Sequence, residues 1–281
     1  MPGGESTTPN GVTTTAGQQL ERQRQQAHDA LARWGDAVAA AGGAQGFAIV
    51  GEAMGQIGDW EPAVGSNNKL ALLAGKVVAD VTLSNETPPL AQVHWNDGSV
   101  QTLPTISAAQ AFRDLQAAGG QACPGCDALE VTVATLSTVQ IETSRGLATM
   151  PAWEFSLNGT AVRVTRMAIS ASANISVSPP PWNPNDPPVG LSISWAFGHV
   201  GGNKLMVGFV GDMCGTEYTA EAVESPSAVV VIIVEHANST GGGCRLVAID
   251  RIATAQLAAP LGDRAVLEVR QGLPVPLTVG P

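Results

Sequence analysis

Cys123-Pro124-Gly125-Cys126 is the sharpest chemical signal in the sequence. Two thiols at this spacing can form a redox pair, half of a zinc site or a small structural loop. Redox work needs the first thiolate at a helix N-terminus, where the dipole lowers its pKa. Here the pair follows a helical pattern and precedes a β-patterned run, Leu129–Leu136. Zinc needs further close ligands, and the next thiols, Cys214 and Cys244, lie far along the chain. The expectation is a structural disulfide between Cys123 and Cys126, with a thiol–disulfide exchange protein as an alternative. Cys214 and Cys244 are expected to pair with each other. They would close a loop of about thirty residues, which on loop-entropy grounds contributes about 3–4 kcal/mol.

Other catalytic patterns are sparse. His28, His94, His199 and His236 are isolated, with no His-x-x-x-His pair, and no Gly-x-Ser-x-Gly elbow surrounds a serine. A triad of His94 or His236 with Glu235 and a distant serine would have to be assembled by the fold. A secreted hydrolase with dispersed residues is therefore the alternative to a non-enzymatic protein. Gly51, Gly55 and Gly58 lack the following helix and Lys-Ser/Thr of a phosphate loop, and no calcium loop of alternating acids occurs. No cofactor and no metal are expected. One stretch, GQIGDWEPAVGSNNK, concentrates groups that bind polar ligands by stacking and hydrogen bonding. Its candidate ligand-binding residues are Trp60, Glu61, Asn67, Asn68 and Lys69. The simpler role for Trp60 is to plug a core while Gly58, Pro62 and Gly65 shape a loop.

The elements that must position these groups fall into two sets. Leu20, Ala27, Leu31, Trp34 and Val38 recur at helical spacing, and Gly42-Gly43 ends the run. This helix is expected to cap the core of the domain that follows it. Phe47–Val50, Leu70–Leu83, Leu90–Trp95 and Val100–Leu103 read as extended, with Asp97-Gly98 as a hairpin turn. A second helix is expected over Ser107–Ala118, with Ser107 as N-cap and Ala111, Phe112 and Leu115 as its buried stripe. Strands resume at Leu129–Leu136, Val139–Thr143, Ala152–Leu157 and Ala161–Ile169, and Asn158-Gly159 turns the last pair. Six prolines between Pro179 and Pro188 mark an extended linker. Beyond it Leu191, Ile193, Trp195 and Phe197 alternate with small residues, as in a strand with one buried face. Val229–Val234 reads as a central strand buried on both faces. The fold class is α+β: an N-terminal α+β domain with an amphipathic helix and an antiparallel sheet, then a small all-β sandwich-like domain. The boundaries are a flexible tether over 1–17, the α+β domain over 18–177, a Pro-rich linker over 178–190 and the β domain over 191–281.

Composition bounds the partners. Of the 281 residues 14% are charged, with 24 acids against 14 bases for a net charge of −10. That balance removes the electrostatic basis for binding nucleic acid. No apolar run approaches the roughly 18 residues of a membrane-spanning helix, so membrane attachment is expected only through a lipid anchor outside this sequence. Residues 1–17 carry no basic or apolar signal region and read as a tether of the kind that follows the acylated cysteine of a secreted lipoprotein. Met1 would then stand where a removed signal ends. An even number of cysteines fits an oxidising compartment, and the expected location is extracellular or at the cell surface.

The strings GQIGDWEPAVGSNNK, CPGC with TSRGLATMPAWEFSLNGTAVRVTR, and YTAEAVES with PLGDRAVLEV resemble uncharacterised secreted proteins and surface lipoproteins of actinobacteria. The resemblance covers most of the chain from about Gly46 onward. It implies export and surface attachment and assigns no catalytic residues. The function expected is that of a non-enzymatic exported envelope protein that binds a ligand or another protein.

Overall fold

The computed structural model describes residues 6–7, 13–43, 46–60, 65–199, 201–212, 216–236 and 247–280. In chain order the first elements are β1 (Ser6–Thr7), β2 (Thr13–Thr14), α1 (Ala16–Ala40), β3 (Met54–Ile57) and α2 (Gly65–Leu73). Then come β4 (Val77–Ala79), β5 (Ala91–Trp95), β6 (Val100–Leu103), α3 (Ala108–Ala117), β7 (Leu129–Thr143), β8 (Gly146–Leu157) and β9 (Arg163–Met167). The last are β10 (Ile193–His199), β11 (Lys204–Gly211), β12 (Glu217–Glu224), β13 (Ala228–His236), β14 (Ile249–Gln256), β15 (Ala265–Glu268) and β16 (Leu277–Gly280). The fold is α+β and mostly strand, with largely antiparallel sheets.

The chain forms two compact units, and the division differs from the one expected at the prolines. One unit comprises Met1–Val50, Glu142–Leu147 and Asn174–Pro281; the other comprises Gly51–Ile141 and Ala148–Ala173 and is nested within the first in sequence. The expected boundaries at 177/178 and 190/191 are therefore replaced. The N-terminal helix belongs with the C-terminal strands, and the Pro-rich segment lies inside their unit.

In that sandwich unit, β14-β11-β10-β16 form one sheet and β12-β13-β15 the other. Leu205, Val207 and Phe209 pack against Val229, Val231, Ile233 and Val266 between the sheets. The alternate residues Ala228, Val230, Ile232, Ala265 and Leu267 face the other way, onto Ala27, Ala30, Leu31 and Trp34 of α1. β13 is thus buried on both faces, as its unbroken apolar run implies, and α1 supplies the second cover. Ala27 and Ala30 are small enough to bring the helix close to the sheet. The helix begins earlier than its first apolar residue suggests. Thr15 caps it, accepting from the Gln18 N–H at 3.3 Å while the Gln18 side chain accepts the Thr15 N–H at 2.9 Å. At its other end the Gly43 N–H reaches back to the Val38 carbonyl at 2.9 Å, with Gly42 at φ 85°.

The nested unit is a seven-stranded sheet in which β3-β9-β8-β5-β6 run in sequence, β7 pairs with β8, and β4 lies parallel to β7. Ser107 caps α3, whose buried residues Ala108, Ala111, Phe112 and Leu115 pack on Trp153, Phe155 and Leu157 of the sheet. Both glycine turns form as expected: Gly98 has φ 85° and Gly159 has φ 73°. Leu70–Leu83 is not one extended run. Its first residues complete α2, which stops where the Lys76 N–H bonds the Ala71 carbonyl at 2.9 Å. Gly75 has φ 67° there, and a Cβ on it would stand 2.2 Å from the Gln116 carbonyl oxygen. The turn between α2 and β4 therefore requires glycine.

Candidate functional site

Two parallel stripes run along α1. Gln23, Ala27, Ala30 and Trp34 are buried, and one residue back Arg22, Gln26, Asp29 and Arg33 form the neighbouring polar stripe. The second stripe holds the Pro-rich segment, whose proline-rich backbone offers few donors to a sheet. The Gln26 side-chain amide donates to the Val189 carbonyl at 3.0 Å and accepts the Val189 N–H at 2.9 Å. Arg22 pairs with Asp186 at 2.6 Å. These contacts convert the expected linker into one wall of a cavity of about 680 Å³.

The opposite wall is the turn after β15. The buried Glu268 carboxylate accepts the Arg270 N–H at 2.9 Å, the Gln271 N–H, and the Ser192 hydroxyl at 3.2 Å. Gly272 closes the turn at φ 70°, where a Cβ would stand 2.7 Å from that of Ala30. The cavity is lined by Arg33, Arg270, Gln271, Ser192, Pro179–Pro181 and Trp182, among others. The Trp182 side chain is 67% exposed. One Arg33 Nη donates to the Gln271 carbonyl at 3.3 Å. The Nε atoms of Arg33 and Arg270 are both shielded from water without an acceptor.

Chemically this arrangement offers guanidinium groups, carboxylates and an indole to a ligand. No histidine or cysteine lines the cavity, and its one serine spends its hydroxyl proton on Glu268. Among the described residues no group of three or more His, Cys, Asp or Glu side chains is placed to hold a metal ion. The His236 Nε2 shares a hydrogen bond with the Thr219 hydroxyl at 2.8 Å, and His94 lies on β5 of the nested unit. Glu235 lines a smaller cavity of about 290 Å³ with Asp212 and Tyr218. Burial first, and then the Asp212 charge, push its carboxyl above the ordinary value.

Of the ligand-binding residues singled out from the sequence, the structure describes the side chains of Trp60, Asn68 and Lys69. The Trp60 indole packs on the core of the nested unit and donates to Gln56 Oε1 at 2.7 Å. Asn68 and Lys69 lie on α2 and line none of the cavities described here. Glu61 and the side chain of Asn67 lie outside the described residues, as does the expected Cys214–Cys244 pair. Cys123 and Cys126 are joined as a disulfide with Cα atoms 5.5 Å apart. No helix starts at this pair, and Cys126 is buried in the core of its unit.

A further surface departs from its sequence pattern. β10 carries a bulge between Ile193 and Trp195, so Ile193 and Ala196 face the sandwich core while Trp195 and Phe197 turn outward. The expected single buried face of Leu191, Ile193, Trp195 and Phe197 is corrected accordingly, because an extra residue shifts the two-residue period. Outside, the Trp195 ring lies over Gly208, where a Cβ would stand 2.2 Å from it, and Phe197 lies over Gly280. With Met206, Pro276 and Thr278 they form an apolar depression of about 330 Å³.

No protein-family model, no curated protein and no solved structure matches the chain.

Proposed function

We propose that this is a non-catalytic binding protein of the cell envelope, exported and held at the surface by a lipid anchor outside this sequence. The observation that carries the binding role is the cavity between α1, the Pro-rich segment and the turn after β15. It offers guanidinium groups and an exposed indole, and neither a histidine nor a cysteine lines it. A cavity of several hundred Å³ with a few convergent polar groups is the ordinary form of a ligand site. Export is supported by the Cys123–Cys126 disulfide, since such bonds persist in oxidising compartments, and by the resemblance to actinobacterial surface lipoproteins. Among the described residues no helix is long and apolar enough to cross a membrane.

Two measurements test the proposal. The purified chain, incubated with fluorophosphonate and iodoacetamide probes, should show no stoichiometric labelling of a serine or cysteine. Single-site labelling would replace the binding role with a hydrolytic or thiol-exchange one. In detergent phase partitioning of cells expressing the natural gene, the protein should enter the detergent phase. Recovery from the aqueous cytoplasmic fraction would overturn the envelope assignment.

A further inference from the structure

The charged side chains of the cavity lining balance in number, Arg33 and Arg270 against Asp29 and Asp186, but not in hydrogen bonding. Each acid near it already has donors: Asp186 holds Arg22 at 2.6 Å, Asp29 accepts from Gln25 at 2.9 Å, and Glu268 takes three donors from its own turn and Ser192. The cations are less well served. Arg33 gives a single hydrogen bond, to the neutral Gln271 carbonyl. The Arg270 side chain makes no hydrogen bond or ion pair among the described residues, and both arginines are half-buried. A half-buried cation without an acceptor costs free energy that a bound anion recovers. Arg33 is bonded to the residue next to Arg270 in sequence, and both arginines line the cavity. The Pro-rich wall adds the broad indole of Trp182 and the pyrrolidine rings of Pro179–Pro181. Such surfaces hold the flat apolar face of a ring.

We propose that the cavity binds a carboxylated ring compound, with the carboxylate on Arg33 and Arg270 and the ring face on Trp182 and Pro179–Pro181. Planar guanidinium forks match carboxylates in a way ammonium groups do not, and a carboxylate must bring its own ring to occupy both walls. Sugar acids and aromatic acids share this chemistry. The assignment rests on the binding role proposed above and specifies its ligand.

Titration calorimetry on the full chain with four probes tests it: glucuronate against glucose, and benzoate against benzyl alcohol. At least one acid should bind saturably and at least tenfold more tightly than its neutral counterpart, and which acid binds separates the two sources. Arg270→Gln removes no hydrogen bond of the free protein, so it should fold normally by circular dichroism and lose the acid preference about tenfold. Trp182→Ala should weaken acid and neutral probes alike. If neutral rings bind with the same affinity as acids and depend on Trp182, the anionic assignment falls while the binding role stands. If Arg270→Gln binds the acid unchanged, or if no probe binds, the assignment is overturned. Covalent labelling by the serine or cysteine probes overturns the binding role separately.

Discussion

Replacing Trp34 by alanine tests the assignment of α1 to the C-terminal sheets. Trp34 is 2% exposed between the helix and the sheet of β12, β13 and β15. Burying an indole removes roughly 200–250 Å² from water, which at about 25 cal/mol per Å² is worth about 5–6 kcal/mol. Against this, the Trp34 Nε1–H is buried without an acceptor, and removing such an orphan returns about 1–3 kcal/mol. The net loss for Trp34→Ala is about 2–5 kcal/mol, centred on the range for truncating a core aromatic. That corresponds to a shift of roughly 30-fold to 4,000-fold in the opening equilibrium. In hydrogen exchange read by mass spectrometry, amides of β13 and β15 should exchange faster by that factor, and those of α3 and β9 in the nested unit should not change. Trp34→Phe keeps most of the area and deletes the orphan N–H, so it should lie within about 1 kcal/mol of the parent. Lost protection in the nested unit with β13 unaffected would refute the reasoning and return α1 to the domain that follows it in sequence.

Acid should loosen the same unit. Glu221 is held below its ordinary value of 4.5 by its hydrogen bond from Arg24. Glu224 is also held below it, where burial pushes upward but the Ala258 N–H and Arg264 outweigh that push. Depressed carboxyls stabilise the fold above their unfolded value, and this is lost as pH falls through the folded one. Thermal melts should decline below about pH 4.5, with Glu221→Gln and Glu224→Gln flattening the decline; equal slopes in parent and variants would reject the link. Cys123→Ser with Cys126→Ser opens a four-residue loop, worth about 2 kcal/mol of the nested unit's stability on the chain-entropy model. An unchanged urea midpoint would show that the crosslink does not stabilise the fold. Gly75→Ala combines a positive φ with a Cβ 2.2 Å from the Gln116 oxygen, and urea titration should show a loss of about 2–4 kcal/mol.

What could be read from the sequence was local. Ser107, the stripe of α3 and the Asp97-Gly98 and Asn158-Gly159 turns are set by neighbours a few residues away, and the structure carries each of them. The apolar run of β13 likewise announces burial on both faces. Periodicity names the face of a helix but not its partner, and α1 finds its partner in strands that begin at Ala228. A single bulge reversed Trp195 and Phe197, because the alternation of side chains carries no sign of an inserted residue. The short α2 was hidden because its apolar end reads equally well as strand. The cavity was invisible for another reason. Its residues come from α1, from the prolines and from the turn at Arg270 and Gln271, and the PPPWNPNDPP string shows composition without showing that Gln26 clamps it.

The nesting of one unit within the other has a consequence for how the protein is made. α1 leaves the ribosome early, yet roughly 190 residues separate its end at Ala40 from Ala228, which is about 10–40 s of synthesis at 5–20 residues per second. Through that interval Ala27, Leu31 and Trp34 have no sheet to cover them, whereas the nested unit is complete once Ala173 has emerged. The sandwich unit stays open until its last strands arrive. Its own N-terminal helix is thus a stretch of exposed apolar surface for a chaperone to hold, and the unit stays incompletely folded until synthesis is nearly finished.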